Sequence, residues 1–238
     1  MRGFRRMGGR YVAGLDAAER EVLATVVADV AELLGAGRFA VATSPVDEAE
    51  GSAASNPLIG LRISTEAVPA PIDPAVHRLL PDASDDDPAL AAEFRRLTEG
   101  DLRDLKVDRL RRLWTSLIAA ADVVRRSSRP TEAGGGTGGE NGDDGSTELV
   151  VRPEDAAELA ATLTDLRLVL ADRLGLETQE DSDALYDALD RRDLGVDDSD
   201  RPGREVLADE IREYLASVYA ALSWLQESLL ALMLADLP

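Results

Sequence analysis

Hydrophobic positions recur at helical spacing along much of this chain, and the longest such run is the last. Over 205–233, Leu207, Ile211, Tyr214, Leu215, Val218, Leu222, Leu225, Leu229, Leu232 and Met233 fall on one side of a helix with 3.6 residues per turn. That stripe faces a core. Well round from it lies a second strip of Val206, Ser217, Ala220, Trp224 and Ala231, interrupted by Glu213, in which small residues surround one large aromatic. Apolar surface on two sides asks for a second partner, so Trp224 has two readings. It is core if this helix is the central member of a bundle; otherwise it anchors a docking surface for a homodimer or a protein partner.

The beginning of the chain has a different pattern. Segments 4–7 and 11–13 flank Gly8-Gly9, as in a hairpin whose turn requires positive φ. Asp16 with Glu19 three residues on has capping-box spacing, and Leu23, Val26, Val27, Val30, Leu33 and Leu34 form the apolar face of the helix that Gly35 ends. Residues 36–70 show no sustained period and read as a loop with room for a short extended piece at 58–63. Asp73-Pro74 and Asp87-Pro88 each place an N-cap before a proline at the first helical position, predicting short helices over 74–80 and 88–99. Asp101 is the expected cap of a separate, longer helix reaching to about 126, with Leu102, Leu105, Leu110, Leu113, Leu117 and Val124 at helical spacing.

Residues 130–146 contain no apolar residue larger than alanine or proline and read as a flexible linker. A strand is predicted at 148–151. Pro153 opens the next helix, with Leu159, Leu163, Leu166, Leu170 and Leu174 along one side and Gly175 as its stop. Ser182 caps a further helix through Asp190, and the acidic loop 193–203 leads into the last one. An isolated hairpin is marginal in water, so the N-terminal hairpin and the strand near 148–151 are expected to pair into one antiparallel sheet. The expected fold is mainly α, a helical bundle with a small antiparallel sheet. It forms a single domain over 1–238, interrupted by linker 130–146 and loop 36–70, because each half alone offers only two long amphipathic helices.

Charge changes this picture. The net charge is −20, whose field opposes a phosphate backbone and argues against direct nucleic-acid binding. There is no cysteine, which excludes disulfides, thiolate nucleophiles and cysteine metal sites. His77 is the only histidine, so a metal site or catalytic triad would lack its usual second member; it reads as a helix-surface or partly packed residue. No apolar signal-peptide core follows the basic start, and Arg212, Glu213, Gln226 and Glu227 break the C-terminal helix as a membrane span. A cytoplasmic protein is expected, with no membrane association and no cofactor.

Several motifs dissolve in their context. Gly134 to Gly139 satisfies G-x-G-x-x-G, but neither a strand before it nor a helix after it is predicted. Asp198, Asp200 and Gly203 match part of a calcium loop, yet Pro202 occupies a ligand position and Asp209 replaces the bidentate glutamate. Asp183, Asp187 and Asp190 read as a solvated helix face, and Asp85-Asp86-Asp87 suits the start of a helix. No pair of carboxylates is marked for acid–base catalysis, and a non-enzymatic protein is expected.

The basic feature is 95–129, with ten basic and five acidic residues, against a total of −13 for 152–238. Arg111 and Arg112 point away from the apolar stripe, with Asp108 four residues before Arg112 in salt-bridge position. They form either a solvated face or a contact for an acidic protein surface or a short phosphate contact. Lys106, the only lysine, falls inside the apolar stripe. Its stem lies over the core edge with the ammonium reaching out, or it makes a buried or interfacial ion pair with an acid of the C-terminal helix. Lys106, Arg111, Arg112 and Trp224 are the candidate partner-binding residues.

Phe4-Arg5-Arg6 with Gly9-Arg10-Tyr11-Val12, Asp101-Leu102-Arg103 with Lys106, Asp165-Leu166-Arg167-Leu168 with Arg173-Leu174-Gly175, and Trp224-Leu225-Gln226-Glu227-Ser228-Leu229 occur in this order. In these elements the chain resembles the actinobacterial family known as domain of unknown function 2017 (DUF2017). The resemblance implies a transcriptional regulator linked to stress responses, with RNA polymerase or a sigma factor as the expected partner. It also implies genes neighbouring a Clp protease adaptor and sulfur-carrier cysteine-synthesis genes, from which the alternative role of a Clp adaptor or accessory protein follows. It supplies no catalytic residues to carry across.

Overall fold

The structure, a computed structural model, describes residues 1–37, 39, 69–127, 147–193 and 203–236, with side chains at 1–37, 39, 69–119, 148–191 and 209–236. The extended piece at 58–63, the linker 130–146, the glycine-rich motif and the partial calcium loop at 198–202 lie outside the described residues.

Strands β1 (Arg2–Met7) and β2 (Arg10–Leu15) form the expected hairpin. Gly8 and Gly9 both have positive φ, at 58° and 76°, the pair of left-handed residues that a two-residue turn matched to strand twist requires. Strand β3 (Thr147–Val151) pairs antiparallel with β2, running from Tyr11 opposite Val151 to Leu15 opposite Thr147. The order β1-β2-β3 puts β2 in the middle, and accordingly Tyr11 to Leu15 are all buried. The sheet therefore joins the two halves of the chain.

Helix α1 (Ala17–Leu33) starts with both bonds of the capping box, Glu19 N to Asp16 and Asp16 N to Glu19, each at 2.8 Å. Its far end is held by Arg103, which donates to the Leu34 carbonyl at 3.0 Å. Helix α2 (Pro74–Leu79) is capped by Asp73. Helix α3 (Pro88–Ser127) corrects the sequence reading, because the two predicted helices at 88–99 and 101–126 are one helix of 40 residues. Asp87 caps it, accepting from Ala89 and Leu90. Gly100 does not break it: Glu99 and Arg103 pair across the glycine at 2.7 Å, and the packed face continues from Ala91 through Val107, Leu110, Leu113 and Leu117. Leu105, expected in that face, is exposed.

A 3-10 turn at Pro153–Asp155 leads into α4 (Ala156–Leu174), which ends at a left-handed Gly175. Helix α5 (Gln179–Asp193) begins three residues before the predicted cap at Ser182. The Asp181 carboxylate accepts the Glu177 and Thr178 N–H groups at 3.0 and 2.9 Å, which closes the chain into helix earlier. These bonds hold the Asp181 carboxyl below the usual carboxylate range. Helix α6 (Gly203–Ala235) closes the fold.

The central helix is α4, not α6. It packs against α1, α2, α3 and α6, and Leu159, Leu163, Leu166, Val169, Leu170 and Leu174 are all buried. Helix α6 lies on the outside with its stripe narrower than its sequence suggests: Val218, Leu222, Leu225 and Leu229 are buried, Leu215, Leu232 and Met233 are half-buried, and Ile211 and Tyr214 are exposed. Trp224, 54% exposed, is therefore not a core residue. Its inner edge meets β1 at Gly3, where an added Cβ would stand 2.9 Å from Ser228 Cβ and 3.1 Å from Trp224 Nε1. Only a residue without a side chain lets the strand lie so close to the helix. Phe4 N–H completes the contact by donating to Ser228 Oγ at 2.9 Å.

Over Asp209–Ala235, α6 is long and apolar enough to cross a membrane by length and composition, despite the four polar interruptions noted in its sequence. The face it turns inward is partly polar, which is what a helix packed on protein shows. Gln226 donates to Ala160 O and Thr164 Oγ1 at 3.2 and 2.6 Å, and accepts from Arg167 at 2.6 Å.

Candidate functional site

An antiparallel sheet has two edges, and this one treats them differently. Strand β1 is covered by α6 and has Phe4 N–H engaged by Ser228. Strand β3 is the other edge among the described residues, and a cleft of about 510 Å³ runs between it and α3. Leu149, Val150, Val151 and Arg152 all touch this cleft. Successive strand residues point to opposite faces, so a cavity met by several in a row lies along the strand's edge. Leu113 and Leu159 supply apolar floor from α3 and α4.

The rim is charged. Arg109, Arg111 and Arg112 come from α3, Arg152 follows β3, and Asp155 and Glu158 lie opposite. Arg111 bonds Asp108 at 2.6 Å, Arg112 pairs with Glu158, and Arg152 bonds Asp155 at 2.7 Å with Glu154 at 3.3 Å. The Asp155 hydrogen bond, then the charges of Asp155 and Glu154, hold the Arg152 guanidinium above its ordinary range. Arg109 differs, because its Nε is buried without a hydrogen-bond partner among the described residues. Exposed ion pairs of this kind are worth ~0–1 kcal/mol each, so a partner's carboxylates can exchange with the resident ones at little cost. The cleft's hydroxyls are engaged by their own helices: Thr115 donates to Arg111 O, Ser116 to Arg112 O and Thr162 to Glu158 O, at 2.8, 2.9 and 2.9 Å.

The four residues singled out in the sequence are not brought together. Arg111 and Arg112 line the cleft, whereas Lys106 and Trp224 do not. The pairing of Asp108 with Arg111 replaces the expected one with Arg112, and Arg111 also lies over the Phe39 ring, 5.4 Å from its centroid. Lys106 makes the buried ion pair, but its partner is Asp165 of α4 and not an acid of α6. Sequence reasoning missed Arg109, Arg152 and the open edge. Arg152 had a signal, since it directly follows a predicted strand, while the openness of β3 depends on strand order.

Other polar clusters are structural. His77 lies at the helix surface with Nε2 3.3 Å from Asp82, which also pairs with Arg95; the His77 hydrogen bond and then Arg95 hold the Asp82 carboxyl low. Asp183, Asp187 and Asp190 are exposed on α5, and Asp85, Asp86 and Asp87 are exposed before α3. Among the described residues no group of three or more His, Asp or Glu is placed to hold a metal ion.

A family model described as a domain of unknown function, DUF2017, matches residues 1–233. Neither the curated proteins nor the solved structures contain a match.

Proposed function

The chain belongs to the DUF2017 family, and on that premise we propose that it is a non-enzymatic regulatory protein acting through a protein partner. The partner lays an extended segment along the β3 edge of the α3–β3 cleft. The observation that carries this reading is a strand with no paired neighbour on its outer side among the described residues, facing a cleft with apolar floor and arginine rim. An edge strand offers unpaired backbone groups, and an added strand satisfies them while alternate side chains reach the cleft. Arg111, Arg112 and Arg152 select a segment that alternates apolar and acidic residues. A polyanion is disfavoured, because the whole chain carries −20 and its field opposes a densely charged phosphate backbone.

The partner is a component of the transcription machinery, RNA polymerase or a sigma factor, met in the cytoplasm during a stress response. The test uses the full chain with a photo-crosslinking side chain at Val150, mixed separately with purified RNA polymerase core, sigma factors and Clp subunits. The expected result is a crosslink to one subunit that is lost when Arg111→Glu and Arg112→Glu are combined. Absence of any crosslink, or one indifferent to the charge reversal, overturns the reading. Crosslinking to Clp subunits instead replaces it with the proteolysis adaptor.

A further inference from the structure

Most buried or half-buried cations among the described residues have partners; Arg109 and Arg167 each leave only Nε unsatisfied, whereas Arg20 leaves two buried nitrogens so. Lys106 has Asp165, Arg103 has Glu99 and Leu34 O, and Arg167 has Gln226 and Tyr219. Arg20, on the first turns of α1, is 5% exposed, yet its Nε and Nη1 are buried without a hydrogen-bond partner among the described residues. An unsatisfied buried cation is costly, and fold stability alone would replace it with an apolar residue. Arg20 lines a groove of about 590 Å³ between α1 and α3, a size typical of small-molecule sites.

The groove's other walls say what enters. Trp114 and Phe39 meet at 5.7 Å between ring centroids with their planes tilted by 58°, and with Leu117 and Ile118 alongside they give an angled apolar wall. Glu21, Asp29 and Glu32 are exposed at the groove, so it is cationic only at its buried point and anionic at its mouth. A phosphate or dicarboxylate meets repulsion from those three acids. A single carboxylate reaching Arg20, on a molecule whose amine stays near Glu21 or Asp29, meets complementary charge at both ends.

We infer that the α1–α3 groove binds a small zwitterion with an apolar body, of the amino-acid class, whose carboxylate is taken by Arg20. This goes beyond the proposed partner contact and does not depend on it. Phe39 touches Trp114 in this groove and lies under Arg111, which itself lines the partner cleft.

The test uses the full chain with Trp224→Phe, which leaves Trp114 as the only tryptophan and its emission as a report on the groove. L-phenylalanine, L-leucine, phenylalaninamide, 3-phenylpropionate and inorganic phosphate are titrated, and the thermal midpoint is followed in parallel. One of the two amino acids is expected to give a saturable emission change and a raised midpoint. Its binding should exceed that of the amide and of the amine-free acid by about 10-fold, and phosphate should give no saturable change. Arg20→Met should weaken binding by about 10- to 100-fold while the midpoint of the free protein holds or rises, because an unpaired buried charge has been removed. The inference is overturned if neither amino acid binds, if phosphate binds more tightly, if Arg20→Met binds equally well, or if that variant loses its fold because Arg20 was a paired structural cation.

Discussion

Lys106 Nζ lies 2.6 Å from Asp165 Oδ1, with the two side chains only 12% and 9% exposed, so the chain's single lysine ties α3 to the central helix α4. Removing one member of a buried pair leaves the other charged and unpaired, which costs ~3–5 kcal/mol, whereas replacing both by apolar residues is often neutral. Lys106→Met should therefore destabilise the protein by that order, and Lys106→Met with Asp165→Leu should recover most of the loss in denaturant titration. Equal destabilisation in both would show that the pair contributes attraction beyond mutual compensation.

Gly100 sits exposed inside α3 with nothing near a would-be Cβ. Alanine in an exposed helix interior is favoured over glycine by ~1 kcal/mol, so Gly100→Ala should raise stability by about that amount. If the chain instead ended one helix at Gly100 and began another at Asp101, alanine would destabilise it, and the sign of the change decides between the two.

Asp73 caps α2 and bonds Arg173 at 2.6 Å. The Arg173 hydrogen bond, helped by the Ala75 and Val76 N–H groups, keeps its carboxyl below the usual range despite some burial. A depressed folded pKa means stability that is present above the unfolded value near about 4 and is lost as pH falls through the lower folded value. Asp73→Asn keeps a capping oxygen but removes the charge. The wild type should exceed this variant by at most ~1 kcal/mol at about pH 6, since both partners are partly exposed, and the gap should close near about pH 2. A gap independent of pH would count against the Arg173 contact.

Trp224 is 54% exposed and rests one edge on Gly3. Trp224→Asp should keep the far-ultraviolet helical signal and cost about 1 kcal/mol or less, as exposed substitutions do. Any self-association through this face should fall in sedimentation analysis. Collapse of the helical signal would return Trp224 to the core.

Gly8-Gly9, the Asp16–Glu19 capping box, Asp73-Pro74, Asp87-Pro88 and Gly175 were legible in the sequence because each is a local demand of the backbone, met by neighbours along the chain. The leucine spacing likewise marked the long helices, and the return of apolar residues at 148–151 after the linker marked the third strand. Those local signals determine a mainly α chain with a small antiparallel sheet. They also place Arg111 and Arg112 on the polar side of α3.

The tertiary structure decided the relations between elements. Asp101 has the chemistry of a cap, but the Glu99–Arg103 pair spans Gly100 and Arg103 is itself tied to Leu34 O at the end of α1, and such contacts outweigh one residue's propensity. Two helices had enough apolar surface to be central, and contact with α1, α2, α3 and α6 gave that place to α4, leaving Trp224 outside. Lys106 found its acid on α4, and β3 became an edge strand among the described residues, for the same reason. Periodicity states which face a helix buries, but the neighbour on that face is chosen by segments distant in sequence, whose shapes and charges must fit together at once.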